Sequence, residues 1–503
     1  MTMDIFANLE LGFASALQPI NLLYCFLGVL LGTIIGVLPG IGPLATMAML
    51  LPLTFGLDPT TSLIMLAGIY YGSQYGGSTT AILLNLPGES SSAVTTIDGY
   101  QMAQRGRAGP ALAAAGLSSF FAGTVATIVI AVIARPLTAM ALSFGPAEFF
   151  SLMMVGLVSS IALASGSVVK AVGMICLGLL LGLTGTDINT GTPRFTFGSL
   201  DLLDGFDFVA IAVGMFGIGE ILRNLETSHS GGGVISRVGR LWPSKSDFVR
   251  ILGPSVRGTV IGSLLGVLPG GGALLSSFVA YNVEKKVSRN SSEFGKGAIE
   301  GVAAPEAANN AGAQTSFIPM LSLGIPSNVV MAMMIGAMVM QGIVPGPNVV
   351  TSHPDLFWGL IVSMWIGNAM LVILNLPLVG IWVTLLRVPY DVLFPSIIAF
   401  CCIGVFSVEN SAFSVNVIIG AGLIGYFLVK VGCELPPFIL GFILGPMLEE
   451  HFRRAMLISA GDPLVFVQRP ISAVLLLIAA ATLVAVSLPA ISRKRTEVFV
   501  EDD

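Results

Sequence analysis

Apolar residues in this chain run in long blocks rather than in strand-like alternation, and many blocks approach membrane-crossing length. They cover Leu22 to Leu38, Ala111 to Ala134, Phe149 to Ala164, Val168 to Leu183, Phe208 to Leu222, Val256 to Leu268, Val329 to Met340, Leu356 to Leu374, Val392 to Val408, Val415 to Val431 and Ile471 to Leu488. A helix needs about 20 such residues to cross a bilayer alone, so the shorter blocks are expected to be broken or re-entrant elements. The pattern predicts an all-α integral membrane protein with about 12 membrane elements.

One pattern occurs twice. Gly28 to Gly40 reads GVLLGTIIGVLPG, and 230 positions on, Gly258 to Gly270 reads GTVIGSLLGVLPG. A glycine every fourth residue lines one helix face for close packing, and Leu-Pro-Gly ends the helix. Gly36, Pro39, Gly40 and Gly42 in the first copy, with Gly266, Pro269, Gly270 and Gly272 in the second, are the helix-break and packing positions. The chain is expected to form two pseudo-symmetric membrane repeats, 1–225 and 254–503, joined by a polar linker, 226–253.

A second element is also duplicated. YYGSQYGGSTTAILLNLPGESSS (Tyr70 to Ser92) and PEAANNAGAQTSFIPMLSLGIPSN (Pro305 to Asn328) each lead from a polar run through a short apolar segment to a proline break. Irregular backbone at membrane depth is tolerated only along protein or a water-filled cavity. Unwound carbonyls at Gly76-Gly77 and through Asn309, Asn310, Ala311 and Gly312 are therefore expected to line such a cavity. With the side-chain oxygens of Ser78, Thr79, Thr80, Glu306, Asn309, Asn310, Gln314, Thr315 and Ser316 they would bind a hard cation, sodium being the natural choice. After each break a helix restarts, and its free N–H groups favour an anion. Asn85, Pro87, Gly88, Ser90 and Ser91, and Pro326, Ser327 and Asn328, are the candidate substrate-binding residues, one carboxylate to each hairpin.

Charge sharpens this reading. Charged residues make up 10% of the chain, against about 25% in a soluble domain. No Lys or Arg occurs from Met1 to Gln104 or from Gly297 to Leu386, so a bound polyanion would need helix ends and co-bound cations. Arg237, Arg240, Lys245 and Arg250 crowd the linker with Arg257 just past it, and Arg493, Lys494 and Arg495 the tail, which places both in the cytoplasm and the N-terminus in the periplasm. Lys285, Lys286, Arg289 and Lys296 follow the second break, where the first repeat has no basic residue from Thr54 to Ser62. The two halves are therefore expected to be inverted relative to one another, an arrangement that allows alternating access. A net charge of -5 offers no basic surface to nucleic acid. With Asp4 and Glu10 but no basic flank, the first apolar segment is expected to stay rather than be cleaved.

These motifs resemble the large membrane subunit of the tripartite tricarboxylate transporters, the TctA family. The likeness runs through GVLPGIGP (Gly36 to Pro43), YYGSQYGGSTTAILLNLPGE (Tyr70 to Glu89), IDGYQMAQRGRAGPAL (Ile97 to Leu112), GVLPGGG (Gly266 to Gly272) and GAIEGVAAPEAANNA (Gly297 to Ala311). The resemblance implies a permease of the bacterial inner membrane that works with a small four-helix membrane subunit and a periplasmic solute-binding protein. It implies import of tricarboxylates or related carboxylates, driven by a sodium or proton gradient, with no cofactor beyond the coupling ion. The glycine-rich turns agree, since none carries the Gly-Lys-Ser/Thr of a P-loop.

Glycines at four-residue spacing can simply pack, and proline breaks can simply kink. A pore or structural assembly subunit without a substrate site is the alternative, but it leaves two polar hairpins unexplained. A membrane enzyme lacks support: there is no His-Glu-x-x-His motif, and His229, His353 and His451 fall in polar connections. The five cysteines, Cys25, Cys176, Cys401, Cys402 and Cys433, lack metal-ligand spacing and are expected to be small core residues. Of the isolated charges Lys170, Glu220, Glu306, Glu409 and Lys430, Glu306 stands out because it lies within a polar run.

Overall fold

The computed structural model describes residues 5–487 apart from 39–40, 164–166, 188, 228–237, 240, 269–271 and 386–389. Pro39, Gly40, Pro269, Gly270, His229, Arg237, Arg240 and the basic tail therefore lie outside the described residues, as does the Glu409 side chain. Among the described residues the regular elements are helices except for a two-stranded pairing of Gly185–Thr186 with Pro193–Arg194. Seven helical stretches are long and apolar enough to cross a membrane, including Pro19–Gly36, Lys245–Val267, Pro354–Asn375, Ala412–Lys430 and Pro470–Ser487. Shorter apolar helices accompany them, Val168–Gly182 and Val329–Met340 among them. The longest stretch is bent at Gly106, whose φ of 75° turns the chain between the helices Ala93–Met102 and Ala108–Ala141.

Polarity is arranged as a bilayer demands. Outer helices expose Phe400, Leu477 and Leu264, each more than 60% accessible. Two polar helices occupy the interior: every residue from Thr60 to Leu83 in Pro59–Leu84 is buried, and every residue of Glu300–Thr315. Lys170 and Lys430 sit at helix ends. Lys170 donates to the Val431 carbonyl at 2.6 Å, and Lys430 pairs with Glu226 at 2.7 Å. His451 differs from expectation: it lies within Leu435–Ile458 and stacks on Phe149 at 5.1 Å.

The polar runs correct the sequence reading. Gly76-Gly77 and the stretch Asn309 to Gly312 are not unwound but lie inside regular helices, whose backbone groups are bonded within the segment. Gly76 serves close approach instead, since a Cβ there would stand 2.6 Å from the Val37 nitrogen of the neighbouring chain segment. The glycine helices explain the need. A Cβ on Gly28, Gly32 or Gly36 would strike the carbonyls of Met65, Ile69 or Ser73 in Pro59–Leu84. A Cβ on Gly258, Gly262 or Gly266 would strike those of Ala304, Ala308 or Gly312, each 239 positions after its counterpart. Both copies thus pack backbone on backbone, at matching places along matching helices.

The breaks fall after the polar runs. Pro59–Leu84 ends on Asn85 at φ 61°, and Phe317–Leu323 ends on Gly324 at φ 73°, left-handed residues that stop a helix. The chain then restarts at two caps. Glu89 holds the cap position of the turn Ser90–Ser92 that leads into Ala93–Met102, its N–H donating to Ser92 Oγ at 3.3 Å, and Asn328 caps Val329–Met340, its Oδ1 accepting the Met331 N–H at 3.0 Å.

Candidate functional site

Helical backbone keeps its carbonyls for itself, so the chemistry here belongs to side chains. Where the two polar helices meet, Glu306 lies 1% exposed. Its Oε2 accepts from the Ser78 hydroxyl at 2.8 Å, its Oε1 from that of Thr95 at 2.6 Å, and Ser119 stands 3.5 Å from Oε2. Beside it, Glu89 Oε1 accepts from Asn309 Nδ2 at 3.0 Å, while Asn309 Oδ1 accepts from Ser91 at 3.1 Å. Each of these bonds joins a residue of the first half to one of the second.

The charge balance is unusual. Two buried carboxylates are bonded by hydroxyls and an amide, and no ion pair to either occurs among the described residues. Burying an unpaired carboxylate costs several kcal/mol, which a bound proton or cation would offset. A cavity of about 20 Å³, enough for one water-sized species, opens beside Glu306 between Tyr75, Ser78, Thr79, Ser119 and Asn375. Asn375 Oδ1 is buried there with no hydrogen-bond donor. Tyr75, Ser78, Thr79, Ser119, Glu306 and Asn375 bring oxygens to a lining that also includes the apolar Leu112, Ala115 and Leu376, and oxygen is the ligand type that hard cations take.

The structure brings together only part of the expected cation set. Ser78, Glu306 and Asn309 join the cluster, and Thr79 lines the cavity. Asn310 donates to the Glu306 carbonyl one turn back, at 3.3 Å. Gln314 lies beyond, accepting from Thr127 at 2.7 Å. Thr80 satisfies the Val37 carbonyl at the end of the first glycine helix, and Thr315 and Ser316 bond to carbonyls of their own helix. Gly77 lets Gly88 approach, and Gly36 and Gly266 pack helices. Gly42 and Gly272 face the caps, as a Cβ on them would stand 3.9 Å from Glu89 Cβ and 3.5 Å from Asn328 Cβ. Of the substrate set, Gly88, Ser91, Pro326 and Ser327 are buried and Asn328 and Pro87 half-buried, whereas Asn85 and Ser90 are exposed. Asn85 ends a helix, which accounts for it.

Sequence reasoning missed Glu89, Thr95, Ser119 and Tyr75, whose partners are remote in the chain, and Asn375, which lines the cavity. It also missed Asp98, fully buried in the IDGYQMAQRGRAGPAL run. Asp98 accepts the N–H groups of Gly297 and Ala298 at 2.8 and 2.9 Å and the Tyr281 hydroxyl at 2.9 Å, clamping the start of the second polar helix. Asp98→Ala leaves those donors buried and unbonded and is expected to cost about 3 kcal/mol. The check is a lower melting temperature of the detergent-solubilised protein, with Asp98→Asn falling between.

A multi-pass helical fold with a polar, carboxylate-bearing interior between two similar helix packings is that of a membrane transport protein. The chain belongs to the tripartite tricarboxylate transporter TctA family, which it matches over residues 22–440. It is 61% identical over 501 residues to an "uncharacterized 52.8 kDa protein in TAR-I ttuC' 3'region" of Agrobacterium vitis, covering 100% of both chains. It is also 61% identical over 242 residues to an "uncharacterized protein in TAR-II ttuC' 3'region" of the same organism, covering 48% of this chain and 100% of that one. No solved structure matches.

Proposed function

We propose that this chain is the large permease subunit of a binding-protein-dependent secondary transporter that imports tricarboxylates or related carboxylates by alternating access. The observation that carries the reading is Glu306. It is buried between the halves, bonded to Ser78 and Thr95 of the first half, and without a basic partner among the described residues. A cation or proton arriving there neutralises the carboxylate and alters the contact between the halves, which is how a gradient can drive a conformational cycle. Sodium or a proton is the coupling ion.

The subunit sits in the bacterial inner membrane, N-terminus in the periplasm and C-terminus in the cytoplasm, with its halves inverted. A small four-helix membrane subunit accompanies it, and a periplasmic solute-binding protein delivers the carboxylate. The test is uptake of labelled citrate, malate and succinate into vesicles holding all three proteins, under a sodium gradient, a pH gradient or neither. Accumulation that needs both a cation gradient and the binding protein is expected. Equal, merely downhill flux in every condition would favour a pore.

A further inference from the structure

The two hairpins are alike in backbone and opposite in chemistry. Glu89 and Asn328 occupy equivalent places, two residues after the break prolines Pro87 and Pro326 and facing Gly42 and Gly272. Each cap meets the polar helix of the other half at equivalent positions: Glu89 meets Asn309, and Asn328 lies beside Tyr70, 239 positions before Asn309. In the first hairpin the contact is complete. Its cap is a carboxylate, and the amide opposite donates to it.

In the second hairpin the contact is open. The Tyr70 hydroxyl lies within hydrogen-bonding reach of the Gln74, Ser316 and Asn328 side chains. Those contacts do not satisfy the amides: Gln74, 1% exposed, has neither its Nε2 nor its Oε1 in a well-aligned hydrogen bond, and the buried Nδ2 of Asn328 is in none. Buried amides are rarely left unbonded, because an orphaned donor keeps the full cost of losing its water. Two donor amides therefore face the same Tyr70 hydroxyl, and Asn328 stands at the start of the helix Val329–Met340 and beside that of Gly272–Val287, ends that favour an anion.

We propose that the second hairpin alone is the carboxylate subsite, with Gln74 Nε2 and Asn328 Nδ2 donating to a substrate carboxylate, while in the first hairpin Glu89 already fills the equivalent place and repels an anion. This rests on the carboxylate-transport reading above and narrows it from one carboxylate per hairpin to one hairpin. It adds Gln74, on the first polar helix, as a substrate residue. The ligand would bridge the halves, since Gln74 belongs to the first and Asn328 to the second.

The experiment is calorimetric titration of the purified full-length chain with citrate, malate and succinate, alongside thermal melts without ligand. Gln74→Met keeps the shape and removes the orphaned amide, so the ligand-free variant is expected to melt at or above the wild type while its affinity falls about 10- to 100-fold. Asn328→Asp keeps the oxygen that caps Met331 and replaces only the free donor, so it should fold and lose affinity at least as far. Folded variants that bind a probe as the wild type does would overturn the subsite and leave the transport function standing. A wild-type chain that binds none of the three carboxylates would overturn the carboxylate reading and the subsite with it.

Discussion

Glu306→Gln is expected to abolish uphill accumulation of carboxylate while leaving the amount of folded protein unchanged. The substitution keeps the shape of the side chain and removes the charge that a coupling ion would meet. Stability should not fall. The buried carboxylate has no ion-pair partner to strand, Ser78 already shares its hydroxyl with the Gln74 carbonyl at 3.1 Å, and a neutral amide costs less to bury than an unpaired charge. A small gain in stability, up to about 1 kcal/mol, is the expected direction. The measurement pairs uptake under a cation gradient with a thermal melt of the same preparation. Wild-type accumulation in this variant would remove Glu306 from the coupling step. Lost accumulation with a lowered melting temperature would instead mark the residue as structural.

The spanning helices were legible because a helix that crosses a bilayer is apolar along most of its length. The blocks at 356–374 and 415–431 match Pro354–Asn375 and Ala412–Lys430 closely. The interior was legible only as motif. Runs such as GSQYGGSTT look like loop in water, where Gly, Ser and Thr weaken a helix. Inside a shell of other helices the same residues suit one, because small side chains permit backbone contact and hydroxyls bond to carbonyls a turn back, as Thr79 does to Tyr75 at 3.2 Å. Leu435–Ile458 escaped notice for a related reason: Pro436 and Pro437 fall in its first turn, where proline is tolerated, and its last third is charged. The cluster could not be read from spacing at all. Glu89 and Asn309 are 220 positions apart, and only the folded packing of two polar helices sets one against the other.

Gly36→Leu is expected to deplete folded protein rather than to alter transport selectively. At Gly36 a Cβ would stand 2.5 Å from the Ser73 Cα and closer still to its carbonyl oxygen, so the obstacle is backbone, which no rotamer change relieves. A leucine must push the helix Pro19–Gly36 off Pro59–Leu84 over the length of the Gly28, Gly32 and Gly36 contacts. Overpacking a core costs about 1–3 kcal/mol when side chains can yield, and backbone contact puts this site at or beyond the upper end. The same shift would carry Ser78 away from Glu306, so whatever folds should also transport poorly. Gly173→Leu is the control, since Gly173 is exposed and has nothing within 4 Å of where its Cβ would stand. Size-exclusion profiles of membranes solubilised in parallel should show a strongly reduced monodisperse peak for Gly36→Leu and a wild-type peak for Gly173→Leu. A normal peak for Gly36→Leu would mean that the glycine face is not what holds the first polar helix in place. Gly266→Leu should repeat the result in the second half, because its Cβ would meet the Gly312 carbonyl and Thr315 in the same way.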